Sequence, residues 1–536
     1  MRIDWTLPYP SQREPLFARR AVATSQPLAA QAGLQMLLLG GSAADAAVAT
    51  AAVLTVVEPT ANGIGSDAFA LVWAGGSLHG LNASGRSPRG LRIERFDELD
   101  AMPRLGWDAV TVPGCVSGWR ALSERFGRLP FETCIEPAIR FAREGFLVSR
   151  QTALGWGRAE ERFRDRAGLR FEEFRRVFLP AGRAPRPGEL IALPDHGATL
   201  EAIAASGGES FYRGALAERI AAASAADGAH LTIEDLGSHR AEWVEPISIA
   251  YRGVRLHEIP PNGQGIAALQ ALGVLRHFEI DALQPDCPDV LHLQIEAMKL
   301  AFADAHAHVA DPATMRIAPA ALLDDAYLAA RARAIDPVRA GDPGHGTPQY
   351  GGTVLLCAAD ADGMMVSFIQ SNFEGFGSGV VIPGTGIALQ NRGAGFTLAR
   401  DHPNRVAAGK RPYHTIIPGF VTRDGGSSRP LMAFGVMGGA MQPQGHVQVL
   451  ARLVDFAQNP QAALDAPRWQ VGDGRVVELE PGLASATVEE LAARGHAVRQ
   501  ADSRNVRFGG GQAILALDDG YVAASDLRRD GLAIGW

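Results

Sequence analysis

Gly351-Gly352-Thr353-Val354-Leu355-Leu356-Cys357-Ala358-Ala359-Asp360-Ala361-Asp362-Gly363 is the stretch that decides how this chain is read. The apolar run from Thr353 to Ala359 is a strand, Asp360 to Gly363 a turn, and Met365 to Ile369 the returning strand. The sequence DPVRAGDPGHGTPQYGG, from about 335, leads into it. It is rich in Gly and Pro and poor in apolar residues, as an exposed loop or linker is. Two glycines give the backbone freedom to strain the peptide before Thr353. A hydroxyl that attacks the preceding carbonyl needs that freedom. If the Gly352–Thr353 bond breaks, Thr353 gains an α-amine titrating near ~7.7–8.0. Such an amine can act as general base for its own hydroxyl. On spacing alone, Gly-Gly-Thr ahead of a strand is more often a plain turn.

Outward from this point the two halves differ in texture. Residues 28–57 read as Ala-rich helix broken at Gly40-Gly41, and Ala68 to Trp73 as a strand with a second one running to Leu81. Arg86 to Gly90 is a loop. From Pro113-Gly114 to Phe146 and again over 150–240 the pattern is helical. Gly263-Gln264-Gly265 leads into a helix, and Val290 to Val309 reads as a long amphipathic one. After the linker, strand-like runs recur at 415–422 and 431–436. No repeat of 20–50 residues is present.

With 47% hydrophobic and 20% charged residues, the 536-residue chain is long and apolar enough for a large core. Its net charge of -7 is spread along the chain, so no basic stripe invites nucleic acid and no cluster invites a membrane surface. The longest apolar stretch, Ala46 to Val57, is too short to span a bilayer. The N-terminal MRIDWTLPYPSQREP has no apolar segment of the secretory kind, so the expectation is a cytoplasmic protein. Cys115, Cys134, Cys287 and Cys357 are far apart and form no CxxC pair, which suits buried free thiols.

Three further constellations could carry chemistry. Gly435-Val436-Met437-Gly438-Gly439-Ala440 ends a strand, and its successive N–H groups could form an oxyanion hole; a tight strand-to-helix turn is the plainer reading. Gly263-x-Gly265-x-x-Ala268 partly fits a dinucleotide fingerprint, but Pro260-Pro261 interrupts the expected strand. His292 and Glu296 lie four apart and could share a metal, with His306 and His308 further on; without an HExxH, a solvated helix face is the expectation.

Taken together, the motifs resemble the γ-glutamyltransferase family of N-terminal-nucleophile hydrolases from about residue 18 to the C-terminus. The resemblance rests on LLLGGSAADAAVA (37–49), TVPGCVSGW (111–119), EPAIRFAREGFLV (136–148), PPNGQGIAALQ (260–270) and EAMKLAFADAHAHVADP (296–312). It continues through GGTVLLCAADADG (351–363), FGSGVVIPGTGIALQNRG (376–393), GKRPYHTIIPG (409–419) and VMGGAMQPQGH (436–446). It implies an α/β fold, a four-layer αββα sandwich, built jointly by a large subunit, 1–352, and a small one, 353–536, after self-cleavage between Gly352 and Thr353. By position, Thr353 matches the nucleophile, Gly438 and Gly439 the oxyanion-hole pair, and Arg86 the arginine that holds a donor's α-carboxylate. Ser371 and Asn372 fall near a family asparagine that contacts substrate or nucleophile.

The chain departs from the family pattern in three places. Thr353-Val354-Leu355 stands where two threonines and a histidine are usual. His414-Thr415 replaces a serine pair at the glutamyl carboxylate. Ala394 sits about where an acidic residue reads the glutamyl amine. The family also contains glutaryl-cephalosporin acylases and an oxamate-hydrolysing branch, and the segments QNRG (390–393) and YHTIIPG (413–419) look closer to such members. The expectation is a threonine amidohydrolase or transpeptidase that needs no cofactor and no metal. It would take a small-molecule acyl amide as donor, either a γ-glutamyl amide of the glutathione kind or another acyl group bearing a carboxylate, and water or an amine as acceptor. An inactive, family-like binding scaffold is the reading from another class.

Overall fold

The computed structural model describes residues 12–343, 352–425 and 429–536. Residues 344–351 of the Gly/Pro linker and residues 1–11 of the N-terminal stretch lie outside them. The early Ala-rich segment forms two helices, Pro27–Leu38 and Ala43–Val57. They part at Gly40, whose φ of +88° a side chain would resist. Ser42 then caps the second helix in a reciprocal box with Asp45. That helix is buried on every side, as its lack of any polar stripe requires.

Two seven-stranded sheets form the centre. In one, the order is Leu532–Gly535, Ala21–Thr24, Gly352–Ala359, Met365–Phe373, Asp67–Ala74, Ser77–Asn82 and Glu242–Val244. In the other it is Leu16–Ala18, Tyr521–Ser525, Gly510–Ala516, Arg429–Met437, Gly419–Arg423, Val254–Glu258 and Ile247–Tyr251. Strand alternation sorts the side chains into layers. Leu355, Cys357 and Ala359 meet Ile369, Phe420 and Ala433 between the sheets. Val354, Leu356 and Ala358 turn the other way, onto the early helices. Met432, Phe434 and Val436 face helices Gly265–Leu275 and Met441–Val454 on the far side. The result is the four-layer αββα sandwich expected from the resemblance. Each sheet takes strands from both sides of residue 353, so a cut there would leave both pieces hydrogen-bonded into the same sheets.

The hairpin is as expected, with its second strand running on to Phe373. The run expected as strand over 415–422 pairs only from Gly419, because His414 bridges to Gly263 and the Ile417 N–H donates to the Gln442 side chain instead of to a neighbouring strand. The long helix, Pro288–His308, is not amphipathic: it is buried from Val290 to Phe302. His292 and Glu296 therefore do not lie on a solvated face. A small three-stranded sheet, Trp469–Val471, Val476–Leu479 and Ala497–Gln500, covers that side. His292 Nδ1 hydrogen-bonds His496 Nε2 at 2.9 Å, and Glu296 pairs with Lys299 at 2.7 Å, so an ammonium already neutralises the carboxylate a metal would need. Gly265 opens its helix behind an antiparallel pair of strands, not in a βαβ unit. A Cβ there would meet Glu258 at 2.7 Å, so the glycine serves packing and no dinucleotide site follows. The cysteines are free, three of them buried. Among the described residues no helix is long and apolar enough to cross a membrane.

Candidate functional site

Thr353 stands at the head of a central strand, 1% exposed, on the face that looks between the two sheets. Gly352 pairs with Phe373 but Val354 pairs with Gln370, so the partner strand carries one extra residue opposite Thr353. A bulge of this kind re-aims side chains locally, and Phe373 beside it holds a φ of +74°, which costs strain in a bulky residue. The bulge brings Ser371 to Thr353. The Thr353 hydroxyl donates to Ser371 Oγ at 3.2 Å, and Ser371 donates onward to the Gly352 carbonyl at 2.5 Å. The Phe373 N–H donates to the same Ser371 Oγ at 2.7 Å, which fixes its rotamer. One hydroxyl thus links the side chain of Thr353 to the carbonyl that precedes it.

Asn372, next along the strand, points the other way. Its Oδ1 accepts from Ser66 Oγ at 2.9 Å, on the helix side of the sheet. Of the two neighbours singled out in the sequence, only Ser371 is brought to Thr353.

Gly438 and Gly439 follow the strand Arg429–Met437 of the facing sheet and lead into helix Met441–Val454. Their φ angles, +130° and +64°, suit glycine alone. The Met441 and Gln442 N–H groups hold the two carbonyls, and Gln264 Nε2 donates to both the Gly439 and the Thr415 carbonyls. Gln264, from the PPNGQG motif, thereby clamps the turn, a role its position in the sequence did not signal.

His414 and Thr415 enter a buried polar cluster. His414 Nε2 lies 3.1 Å from Asp67 Oδ2, both fully buried, and Thr415 Oγ1 accepts from Arg392 Nη1 at 2.7 Å. The Arg392 guanidinium lies over the Phe373 ring, 4.3 Å from its centroid. Burial raises Asp67 to about 7 although Arg392 pulls it down, and burial lowers Arg392 to about 9. Burial and the two arginines Arg392 and Arg411 hold His414 well below its usual range, so it is neutral.

Two cavities flank this centre. One, about 470 Å³, has Gly352 and Gly438 in its wall, together with five arginines and two glutamates. The other, about 420 Å³, is lined by Phe373, Ala394, Thr415 and Ala440. Arg86 lines neither. Its side chain is 44% exposed and its guanidinium bonds Asp311 at 2.7 Å, and that carboxylate also accepts from the Arg411 N–H. Glu374 is held by Arg104 and by Arg162 at 3.2 Å.

Glu58, in the wall of the first cavity, accepts from Ser25 Oγ at 2.5 Å and lies 3.8 Å from Arg529. Burial raises it from 4.5 to about 7, against the pull of Arg529 and Ser25. Between those values the folded chain keeps a proton that the unfolded chain has lost. Stability therefore falls as pH rises through that window, by on the order of 3 kcal/mol. Glu58→Gln should melt close to wild type at pH 4 and above it at pH 8. A variant that melts lower at pH 8 would show that the ionised carboxylate is worth more to Arg529 than its burial costs.

A four-layer sandwich with a hydroxyl at the head of a central strand defines the N-terminal-nucleophile class of hydrolases. The chain belongs to the gamma-glutamyltranspeptidase family, whose model matches residues 29–536. It is 34% identical over 526 residues to a glutathione hydrolase-like YwrD proenzyme of Bacillus subtilis, covering 96% of this chain and 98% of that one. It is 35% identical over 522 residues to an oxamate amidohydrolase proenzyme of Klebsiella pneumoniae, covering 95% and 97%. The crystal structure of a cephalosporin acylase from Bacillus halodurans superposes with a TM-score of 0.96 at 48% identity, over 100% of this chain and 99% of that one. The chain is a hydrolytic enzyme, and the resemblance to the acylase-like branch of the family is borne out.

Proposed function

We propose that the chain cuts itself between Gly352 and Thr353 and then uses Thr353 to cleave acyl amides that bear a carboxylate. The observation that carries this is the Thr353–Ser371–Gly352 relay. Thr353 Oγ1 attacks the Gly352 carbonyl carbon, and Ser371, donating to that carbonyl, stabilises the charge that develops on it. The Gly352–Thr353 C–N bond breaks as the ester forms, and the proton lost from Oγ1 ends on the departing nitrogen, which becomes the Thr353 amine. Water then hydrolyses the ester, leaving a carboxylate on Gly352 and a free amine on Thr353. In the mature enzyme that amine takes the hydroxyl proton as Oγ1 attacks the donor carbonyl. The leaving amine takes the proton, and water or a second amine resolves the acyl-enzyme. The Gly438 and Gly439 amides serve the second oxyanion, a role supported by their constrained φ and by Gly438 sharing a cavity wall with Gly352. Residues 1–352 and 353–536 become the two subunits. No step needs a cofactor or a metal.

The names of the relatives suit a donor with a carboxylate, since oxamate is itself one. An ammonium leaving water needs a carboxylate or several acceptors. Glu374 and Glu58 are already bonded, Ala394 offers nothing, and Asp100, in the wall of the second cavity, is exposed. The enzyme therefore reads a donor's carboxylate but not an α-amine. Matured protein should process glutaryl-p-nitroanilide at least as well as γ-glutamyl-p-nitroanilide. A preference for γ-glutamyl above about a hundredfold, roughly 2.7 kcal/mol, would sink that expectation and make Glu374 the first residue to replace.

A further inference from the structure

The first cavity carries more positive charge than its own carboxylates can neutralise. Arg104 and Arg162 share Glu374, and Arg507 pairs with Glu478 outside it. Arg158 is different. It rises from helix Arg150–Phe163 to the cavity wall, where it is exposed, and among the described residues it has no hydrogen-bond or ion-pair partner. Arg529 reaches the same space from beyond strand Tyr521–Ser525 with its side chain only 11% exposed. Among the described residues its one ion pair is the long contact with Glu58, and its buried Nε donates to nothing. Desolvation, and then the neighbouring Arg529, push Arg158 below the usual arginine range against the opposing pull of Glu161, so the two guanidiniums feel each other's charge. Arg529, little exposed, beside a second guanidinium and with only a distant carboxylate as its ion-pair partner, is unfavourably placed unless an anion joins the two. Guanidinium forks fit a carboxylate in the bidentate manner.

Building on the Thr353 reading, we propose that Arg158 and Arg529 are the pair that binds the substrate's carboxylate, in the cavity whose wall holds Gly352 and Gly438. This replaces the assignment to Arg86, whose guanidinium is bonded to Asp311. Because Gly352 is the acyl side of the chain's own scissile bond, the cavity lies where a donor's acyl group would meet Thr353. The shared chemistry is a carboxylate within a few bonds of the amide, on the acyl or the amine side.

Two measurements test the pair. In the first, glutarate is titrated calorimetrically into wild type, Arg158→Gln, Arg158→Lys and Arg529→Gln, which needs no turnover. Affinity should fall at least tenfold in both glutamine variants and less in Arg158→Lys, which keeps the charge without the fork. In the second, matured enzyme is given glutaryl-p-nitroanilide and its terminal carboxamide, and separately 4-(butyrylamino)benzoate and its carboxamide. The kcat/KM ratio of carboxylate to carboxamide should drop at least tenfold in Arg158→Gln for one of the two series. That series names the side on which the carboxylate is read. Removing Arg158 breaks no bond, so the thermal midpoint of Arg158→Gln without ligand should equal or exceed that of wild type. Unchanged glutarate affinity in both glutamine variants overturns the proposal. So does a ratio that collapses in Arg86→Gln and not in Arg158→Gln. Glutarate binding that depends on the pair in a protein that cleaves no amide would sink the Thr353 reading and leave the pair standing. Amide cleavage with an unmoved ratio would do the reverse.

Discussion

Thr353→Ala should leave the chain whole and inactive, whereas wild type should separate into fragments that end at Gly352 and begin at Thr353. The hydroxyl has two successive tasks under this mechanism, and alanine removes both. In the intact chain it is the attacking atom, poised on Ser371 beside the Gly352 carbonyl. In the mature enzyme it forms the acyl ester, with its own α-amine as base. Removing a catalytic nucleophile costs on the order of 10⁵-fold or more in turnover. Intact mass reads the first task and an acyl p-nitroanilide assay the second. Thr353→Ser keeps the hydroxyl and should mature and turn over. Thr353→Ala that still splits at the same peptide, or wild type that remains full length yet hydrolyses amides, would end the mechanism.

Ser371→Ala should fold, keep Thr353 and mature slowly. The Ser371 hydroxyl donates to the Gly352 carbonyl, which must take up negative charge as the attack proceeds. Loss of one such donor typically slows the step by about 10²–10³-fold. The half-life of the intact chain after synthesis, followed on a denaturing gel, gives the number directly. Ser371→Thr keeps a hydroxyl and should mature far faster than the alanine variant. Maturation of Ser371→Ala at the wild-type rate would reduce Ser371 to an acceptor for the Phe373 N–H. Asn372→Ala is the useful neighbour, because that side chain faces Ser66 across the sheet and should not govern the same step.

The local reading succeeded where chemistry and chain direction coincide. The hairpin around Asp360–Gly363 follows from alternating apolar residues and a turn, and the break at Gly40-Gly41 follows from glycine's freedom at positive φ. Gly438 and Gly439 were legible for the same reason: a glycine pair between a strand and a helix marks backbone geometry that side chains forbid. The helix from Pro288 was misread because its pattern shows which side chains are apolar, not how many layers will cover them. The sheet around Val476–Leu479 comes from nearly two hundred residues away.

What the sequence determined by itself is the family, the hairpin, the threonine at its head and the glycines of the facing turn. These rest on backbone propensity and on an ordered set of motifs, which the chain carries in one dimension. What only the tertiary structure decided is which polar groups meet. Ser371 rather than Asn372 reaches Thr353, because one bulged residue sets which face of the strand each occupies. Arg86 is spent on Asp311, more than two hundred residues along the chain. Arg158 and Arg529 meet at one cavity although more than three hundred residues separate them in the chain, and charge interactions depend on distance and burial, neither of which is written in residue order.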